Sequence, residues 1–378
     1  MKEKIKIVVI IAIIIIASVV MINMFEANHG EKISGKLEIW VNSSEYNYIN
    51  TVAESFKEKH KDVNIDIKEI NSKDYYNDVI NSVKDKEQPD IAILNSDELY
   101  NLVNKEKIYP VDLGGTISTY SMNFGKNRLE QVHFDKKYYG VPLTSSPLVL
   151  YARNDLLSQY GISNNDLNTW NDVITVGEKI FKDSNGKVKL LSGIGPDYKK
   201  LEELILLENM KKNLTEQEVL NNTNNMLEEL KKDNIIALNG NEEYAAKIGS
   251  ISQMKELQAI KEKCEWTANN PPSLVVGSNK FYEGIGENLV TLKEENKRLS
   301  EAFIAYLSND TKVSLEYTLS GNMFSSYLYT YKDVQIEDKI NNFSGKSPLV
   351  IMSNIEKNAP LVENYDVYME AREKLLGN

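Results

Sequence analysis

One cysteine, Cys264, stands in a chain of 378 residues, so no disulfide can form within it. Stability must come from a large ordinary core, and Cys264 itself reads as a small buried hydrophobe in a strand. Arginine is nearly as scarce, at positions 128, 153, 298 and 372 alone, which leaves few bidentate clamps for carboxylate or phosphate. The histidines, His29, His60 and His133, stand apart from one another, and no metal site is expected from them. Positive charge is short overall: 44 Lys and Arg face 55 Asp and Glu, for a net charge of −11 and a pI near 5.1. That excludes a nucleic-acid surface, which needs a clustered basic field. There is no G-x-S-x-G nucleophile motif and no histidine placed as a base, so the chain does not read as an enzyme, and no cofactor is expected. Gly284-Ile-Gly286 lacks the third glycine and the helix start that a nucleotide loop requires. "DSNGK" (183–187) has the outline of a calcium loop without its distal bidentate acid, and reads as a turn.

What is present begins with an apolar run. Residues 7–25, "IVVIIAIIIIASVVMINMF", carry no charge and follow Lys2, Lys4 and Lys6. The run is close to the roughly 20 residues of a membrane helix and longer than the roughly 7–15 of a signal-peptide core. No small-x-small cleavage site follows it, since Phe25 stands two residues before Ala27. The reading is an uncleaved signal anchor, with residues 1–6 a cytoplasmic basic end, 7–25 a transmembrane helix and 26–35 a tether. The remainder then sits at the extracytoplasmic face of the cell membrane, or is secreted if the signal is cleaved. A chain of 43.0 kDa that is 42 % hydrophobic and 26 % charged is globular and exceeds one ordinary core.

Beyond the tether, strands and helices alternate. "KLEIWV" (36–41), "VNIDIKEI" (63–70) and "PDIAIL" (89–94) read as strands. "YINTVAESFKEKH" (48–60) places Tyr48, Ile49, Val52, Ala53 and Phe56 on one helical face. "KDYYNDVINSVKDK" (73–86) and "SDELYNLVNKEK" (96–107) are further helices, the last capped by Ser96. That rhythm predicts a parallel sheet covered on both faces. A second set follows: a helix over 169–182 with Thr169 and Asp172 at capping-box spacing, a strand over 187–195, and helices over 198–212 and 215–232. Then come a short strand at 234–238, a strand at 281–291, and an amphipathic helix over 297–310.

"YYGVPLTSSPLVLY" (138–151) joins the two sets. Its two extended runs flank Pro142-Leu-Thr-Ser-Ser-Pro147, and two prolines exclude a central strand there. This segment, extended to "YGVPLTSSPLVLYARNDLLSQYGI…TWNDV", resembles the extracellular solute-binding proteins that serve ABC importers, in the maltose-binding-protein-like group (family 1). "GKLEIWVNSSEYNYINTVAESFKEKHKDVNIDIKEI", "EQPDIAILNSDELYNLVNKEKIYPVD", "KCEWTANNPP", "GIGENLV" and "SEAFIAYLSNDTKVSLEYTLSGNMF" carry the same likeness, in the same order. The resemblance implies an α/β fold of the two-lobed periplasmic-binding-protein-like type (type II) with hinge crossings, preceded here by the N-terminal transmembrane helix. Lobe 1 would take residues 36–142 and 273–320, and lobe 2 residues 148–267 and 325–378. The crossings would lie at 143–147, 268–272 and 321–324.

It also implies a ligand cleft between the lobes. Trp40 ends the first strand where the family often faces its ligand; packing beneath the next loop is the other reading. Asn42 and Ser44 follow that strand, and Asn95, Ser96 and Asp97 follow the third, at the usual ligand side of an open α/β sheet. Each could equally be a turn or cap residue. Asp97 matches a sugar-binding aspartate of the group, whereas Leu94 stands where the maltose binder has a tryptophan. Ser145 and Ser146 lie in the first crossing. Asp197 and Tyr198 stand where the family has an acidic and an aromatic contact, and Ser250 opens the segment that replaces a tryptophan-bearing loop. Tyr282 and Glu283 enter the Gly-Ile-Gly strand.

The implied function is capture of a small polar ligand, a carbohydrate in the leading reading, by a monomer that delivers it to an ABC permease through hinge closure. Maltodextrin is not the expected ligand, because several aromatic platforms are absent. Two alternatives stay open: a ligand-sensing accessory of a receptor kinase, and a family member that binds nothing and serves as a surface interaction module.

Overall fold

A computed structural model of the chain describes residues 33–72 and 74–377. The expected membrane helix at 7–25 lies outside the described residues; among those, no helix is long and apolar enough to cross a membrane. In chain order the strands are β1 (Gly35–Val41), β2 (Val63–Glu69), β3 (Ile91–Asn95), β4 (His133–Phe134), β5 (Lys137–Tyr138) and β6 (Val141–Pro142). Then follow β7 (Val149–Arg153), β8 (Val188–Ser192), β9 (Ile236–Ala237), β10 (Glu243–Gly249), β11 (Trp266–Asn269) and β12 (Glu287–Thr291). They form two five-stranded sheets, β2-β1-β3-β12-β6 and β11-β7-β10-β8-β9, while β4 and β5 make a separate ribbon.

In the first sheet β1 runs parallel to β2 and β3, and β12 is antiparallel to both β3 and β6. Leu37, Ile39 and Val41 alternate as fully buried residues of β1, whereas Ile91 to Leu94 of β3 are buried without a break. That is the pattern of a strand covered on both faces. In the second sheet β10 is parallel to β8 and antiparallel to β7. The α/β two-lobed architecture follows, each lobe with its own sheet.

The helix expected at 48–60 starts five residues early, at Ser43 (Ser43–Lys59). Asn42 caps it by accepting the Ser44 N–H at 3.0 Å, a role asparagine fills well. Periodicity found only the apolar part. Likewise Asn95, not Ser96, caps the helix Ser96–Asn104: its Oδ1 accepts the Glu98 N–H at 2.9 Å and its own N–H reaches Glu98 Oε2 at 2.8 Å. β10, a central strand of the second sheet, has no counterpart among the sequence expectations. Its last five residues are all buried, so no alternation marks it. Cys264 stands two residues before β11, outside any strand, and is only partly buried.

Three chain segments pass between the sheets side by side. Residues 143–147 are the middle one. Leu143 and Thr144 donate to the Glu287 carbonyl at 2.9 and 3.2 Å, and Gly284 donates to the Ser146 carbonyl at 2.9 Å. On the other flank Ser145 donates to the Phe324 carbonyl and Ser326 to the Leu143 carbonyl, at 2.9 and 3.0 Å. The passage expected at 268–272 is displaced: Ala268 and Asn269 pair with β7, and Ser273 bridges to Thr169, both in the second lobe. The chain returns at 283–286 instead. Glycine is required there, since a Cβ on Gly286 would sit 2.0 Å from the Thr144 carbonyl oxygen and one on Gly284 would sit 2.7 Å from the Glu203 carboxylate. Close packing of the passages therefore accounts for the glycine pair.

Beneath the passages lies Arg128, fully buried. Its Nε donates to the Thr144 carbonyl at 3.1 Å, and its Nη2 donates to the Glu287 carbonyl at 3.0 Å and to Asn288 Oδ1 at 2.7 Å. Its Nη1 donates to Ser96 Oγ at 3.1 Å and to Gln131 Oε1. A guanidinium has five N–H donors, and here they tie the middle passage to the start of β12 and to the first lobe.

Candidate functional site

Between the lobes, against the middle passage, lies a cavity of about 230 Å³. The passage gives it Thr144, Ser145 and Ser146, the first lobe Ser44, Glu45 and Glu287, and the second lobe Lys200, Ser250 and Ser252. Its volume is below the ~300–1,000 Å³ usual for small-molecule pockets, so it suits a small solute. The lining is hydroxyl-rich, and Tyr48 and Tyr317 supply a pair of rings 5.2 Å apart.

Of the residues singled out from sequence, Ser44, Ser145, Ser146 and Ser250 come together at this cavity. Ser145 Oγ lies 2.9 Å from Ser326 Oγ, while Ser146 Oγ donates to Ser250 Oγ at 3.4 Å and accepts from Lys200 Nζ at 3.0 Å. Ser250 also caps the helix Ile251–Gln258. The others sit elsewhere. Asn42 and Asn95 are helix caps. Ser96 is fully buried and donates to Gln131 Oε1 at 2.8 Å, within the Arg128 network. Trp40 donates from Nε1 to Glu38 Oε1 at 2.8 Å and packs against core side chains.

Asp97 pairs with Arg372 at a second cavity, of about 490 Å³, which Lys199, Lys200 and Glu203 also line. Asp197 is buried, accepting from Ser192 Oγ at 2.7 Å and pairing with Lys247 Nζ at 3.2 Å. Tyr198 packs in the second lobe under Lys231, whose Nζ lies 5.3 Å from the ring centre. Tyr282 donates to the Asn279 carbonyl at 3.2 Å, beside a third cavity. Glu283 is buried in the return passage, where it accepts from Asn127 at 3.3 Å and stands 3.9 Å from Arg128 Nε.

Sequence reasoning missed three charged residues of the cavity. Glu45 is one residue beyond Ser44, Glu287 one beyond Gly286, and Lys200 two beyond Tyr198. The early helix start brings Glu45 to the wall, in the first turn where a carboxylate meets the positive helix end. Burial pushes the Glu45 carboxyl up. It pushes Glu287 well above the usual carboxylate range, helped by the charges of Glu45 and Glu98. Glu98, behind them, is pushed up to about 7 by burial, against the hydrogen bond it accepts from Asn95. On the facing wall Lys200 donates to Glu203 Oε2 at 3.0 Å. Among the described residues, no group of His, Cys, Asp and Glu is arranged to hold a metal ion.

Comparison with known proteins agrees with this architecture. The model of the bacterial extracellular solute-binding protein family matches residues 51–323, well over half of the chain. The chain belongs to that family. Among solved structures it is similar to the GacH receptor of Streptomyces glaucescens, solved unliganded and with acarbose, at 16 % identity and a TM-score of 0.63, covering 92 % of this chain and 99 % of that one. It is also similar to the sugar-binding protein MalE of Xanthomonas citri, at 13 % identity and a TM-score of 0.68 over 90 % of this chain and 96 % of that one. A third similar structure is an ABC substrate-binding protein of Listeria monocytogenes in complex with cycloalternan, at 14 % identity and a TM-score of 0.59, covering 91 % and 98 %. At such identities these three speak for the fold.

Proposed function

We propose that this chain is an extracytoplasmic solute receptor that takes a small polar ligand, a carbohydrate, into the interlobe cavity and presents it to an ABC permease by hinge closure. The observation that carries the reading is the cavity itself, whose hydroxyls come from both lobes and from the passage joining them. Closure turns on segments 143–147, 283–286 and 323–326, where the lobes share only a few backbone hydrogen bonds. A ligand that bonds both walls favours the closed form because it binds that form better. Ser44, Ser145, Ser146 and Ser250 are the proposed hydroxyl contacts. Residues 7–25 are the proposed anchor, on the strength of their uncharged, largely apolar run. The sugar-bound relatives support a carbohydrate.

A thermal-shift screen of the full chain in detergent, against mono- and oligosaccharides and their amino and alcohol derivatives, tests this. A ligand at 100 times its dissociation constant adds about 2.7 kcal/mol to stability, an easily resolved rise in midpoint. The expected result is a hit weakened by Ser145→Ala and by Ser250→Ala. Silence across the panel would overturn the receptor reading in favour of a surface interaction module.

A further inference from the structure

The cavity's charge is lopsided in a way that a neutral sugar does not use. Glu45 is nine-tenths buried at 9 % exposure, and its Oε2 lines up with no hydrogen-bond partner. Glu287 shares that wall. Among the described residues, neither carboxylate has a lysine or arginine as an ion-pair partner; the nearest guanidinium, Arg128, is turned to the passage carbonyls and to Glu283. Lys200, the one cation in the lining, is held by Glu203 and Ser146 on the facing wall. Two carboxyls facing a small cavity without an ion-pair partner are costly to charge in the empty protein, and the field of Arg128 offsets only part of that cost at Glu287. Beside them stand the Tyr48 and Tyr317 rings, and aromatic faces also attract cations.

We propose that the ligand carries a protonated nitrogen, received between Glu45 and Glu287 while the serine hydroxyls bond its neutral part. This rests on the cavity being the ligand site and narrows what enters it. The shared chemistry is an alkylammonium, from an amino sugar or from a short polyamine. The serine-rich lining favours the amino sugar, since a polyamine leaves those hydroxyls unused. A metal ion is disfavoured because its ligands would be two carboxylates rather than a three-sided cage.

The test is calorimetric titration of the full chain in detergent at pH 7 with matched probes. Glucosamine and galactosamine carry the ammonium; glucose, galactose and N-acetylglucosamine match them in shape without it. Putrescine and spermidine carry it without the sugar, and calcium chloride carries charge alone. The expected result is binding of an amine-bearing probe at least tenfold tighter than its neutral counterpart, one decade being 1.4 kcal/mol. Glu45→Gln and Glu287→Gln, both nearly isosteric, are each expected to remove most of that preference, while Ser250→Ala weakens sugar probes of both kinds. Binding by a polyamine alone keeps the ammonium and rejects the sugar. Neutral sugars binding as well as their amines, or an amine preference that survives both glutamine variants, overturns the inference and leaves the receptor reading intact. A response to calcium alone overturns it in favour of a metal. If every probe is silent, the ammonium inference falls, and the wider thermal-shift panel decides the receptor reading.

Discussion

The two walls of the cleft are built differently. In the second lobe two lysines are closed into pairs within the chain: Lys247 with Asp197 at 3.2 Å, behind the cavity, and Lys200 of the lining with Glu203 at 3.0 Å. On the first lobe's wall Glu45 and Glu287 are left open, with Glu98 behind them adding a third carboxylate. One wall is finished when the chain folds. The other is finished only by something that enters. A buried pair that is complete contributes little net stability, whereas a buried charge without a partner is a standing cost.

Opening the closed wall should give the largest effect. Burial works against the Lys247 charge, yet Asp197, Tyr244 and Glu256 beside it leave its ammonium above the ordinary range. Lys247→Met strands Asp197 in the interior and should cost about 3–5 kcal/mol in chemical denaturation. A loss within error of zero would show that the second wall is no more finished than the first.

The next effect concerns pH. Glu98 titrates near 7 in the folded chain and near ~4.3 in an unfolded one. Because the folded state holds the proton more tightly, its contribution is complete below the unfolded value and is lost as pH rises toward and through 7. Stability should fall by roughly 1–3 kcal/mol between about pH 4.5 and 7.5 through this group. Glu98→Gln should flatten that slope in melts taken across the range; an unchanged slope would remove Glu98 from the account. Smaller still is the cap that sets Glu45 in place. Asn42→Ala should cost about 1 kcal/mol and loosen ligand binding with it, whereas Asn42→Asp should restore both.

The fold was more legible than the site. Two prolines in 142–147 marked the middle passage because proline tolerates no sheet interior, and the parallel part of the first sheet, β2-β1-β3, followed from its strand and helix segments, whereas the antiparallel β12 and β6 did not. β10 was illegible for the opposite reason: both its faces are covered, and Lys247 within it looks like surface until Asp197 is found beside it. The return passage was placed too early because "NNPP" looked more like a crossing than "EGIGEN" did. Yet the glycines of the second segment are the ones that let backbones touch. Among the site residues, the serines were readable as hydroxyls near strand ends. Glu45 and Glu287 were not, since their meaning depends on two distant segments arriving at one wall without a cation.

The incompleteness of the first wall shows most directly in the thermal midpoint of the empty Glu45→Gln, Glu287→Gln double variant. Replacing two carboxyls that lack an ion-pair partner should raise the midpoint by about 2 °C, the shift that 1 kcal/mol gives in a chain of moderate size. A lower midpoint than that of the unaltered chain would contradict that incompleteness, because it would mean that those carboxylates hold the fold together and await nothing.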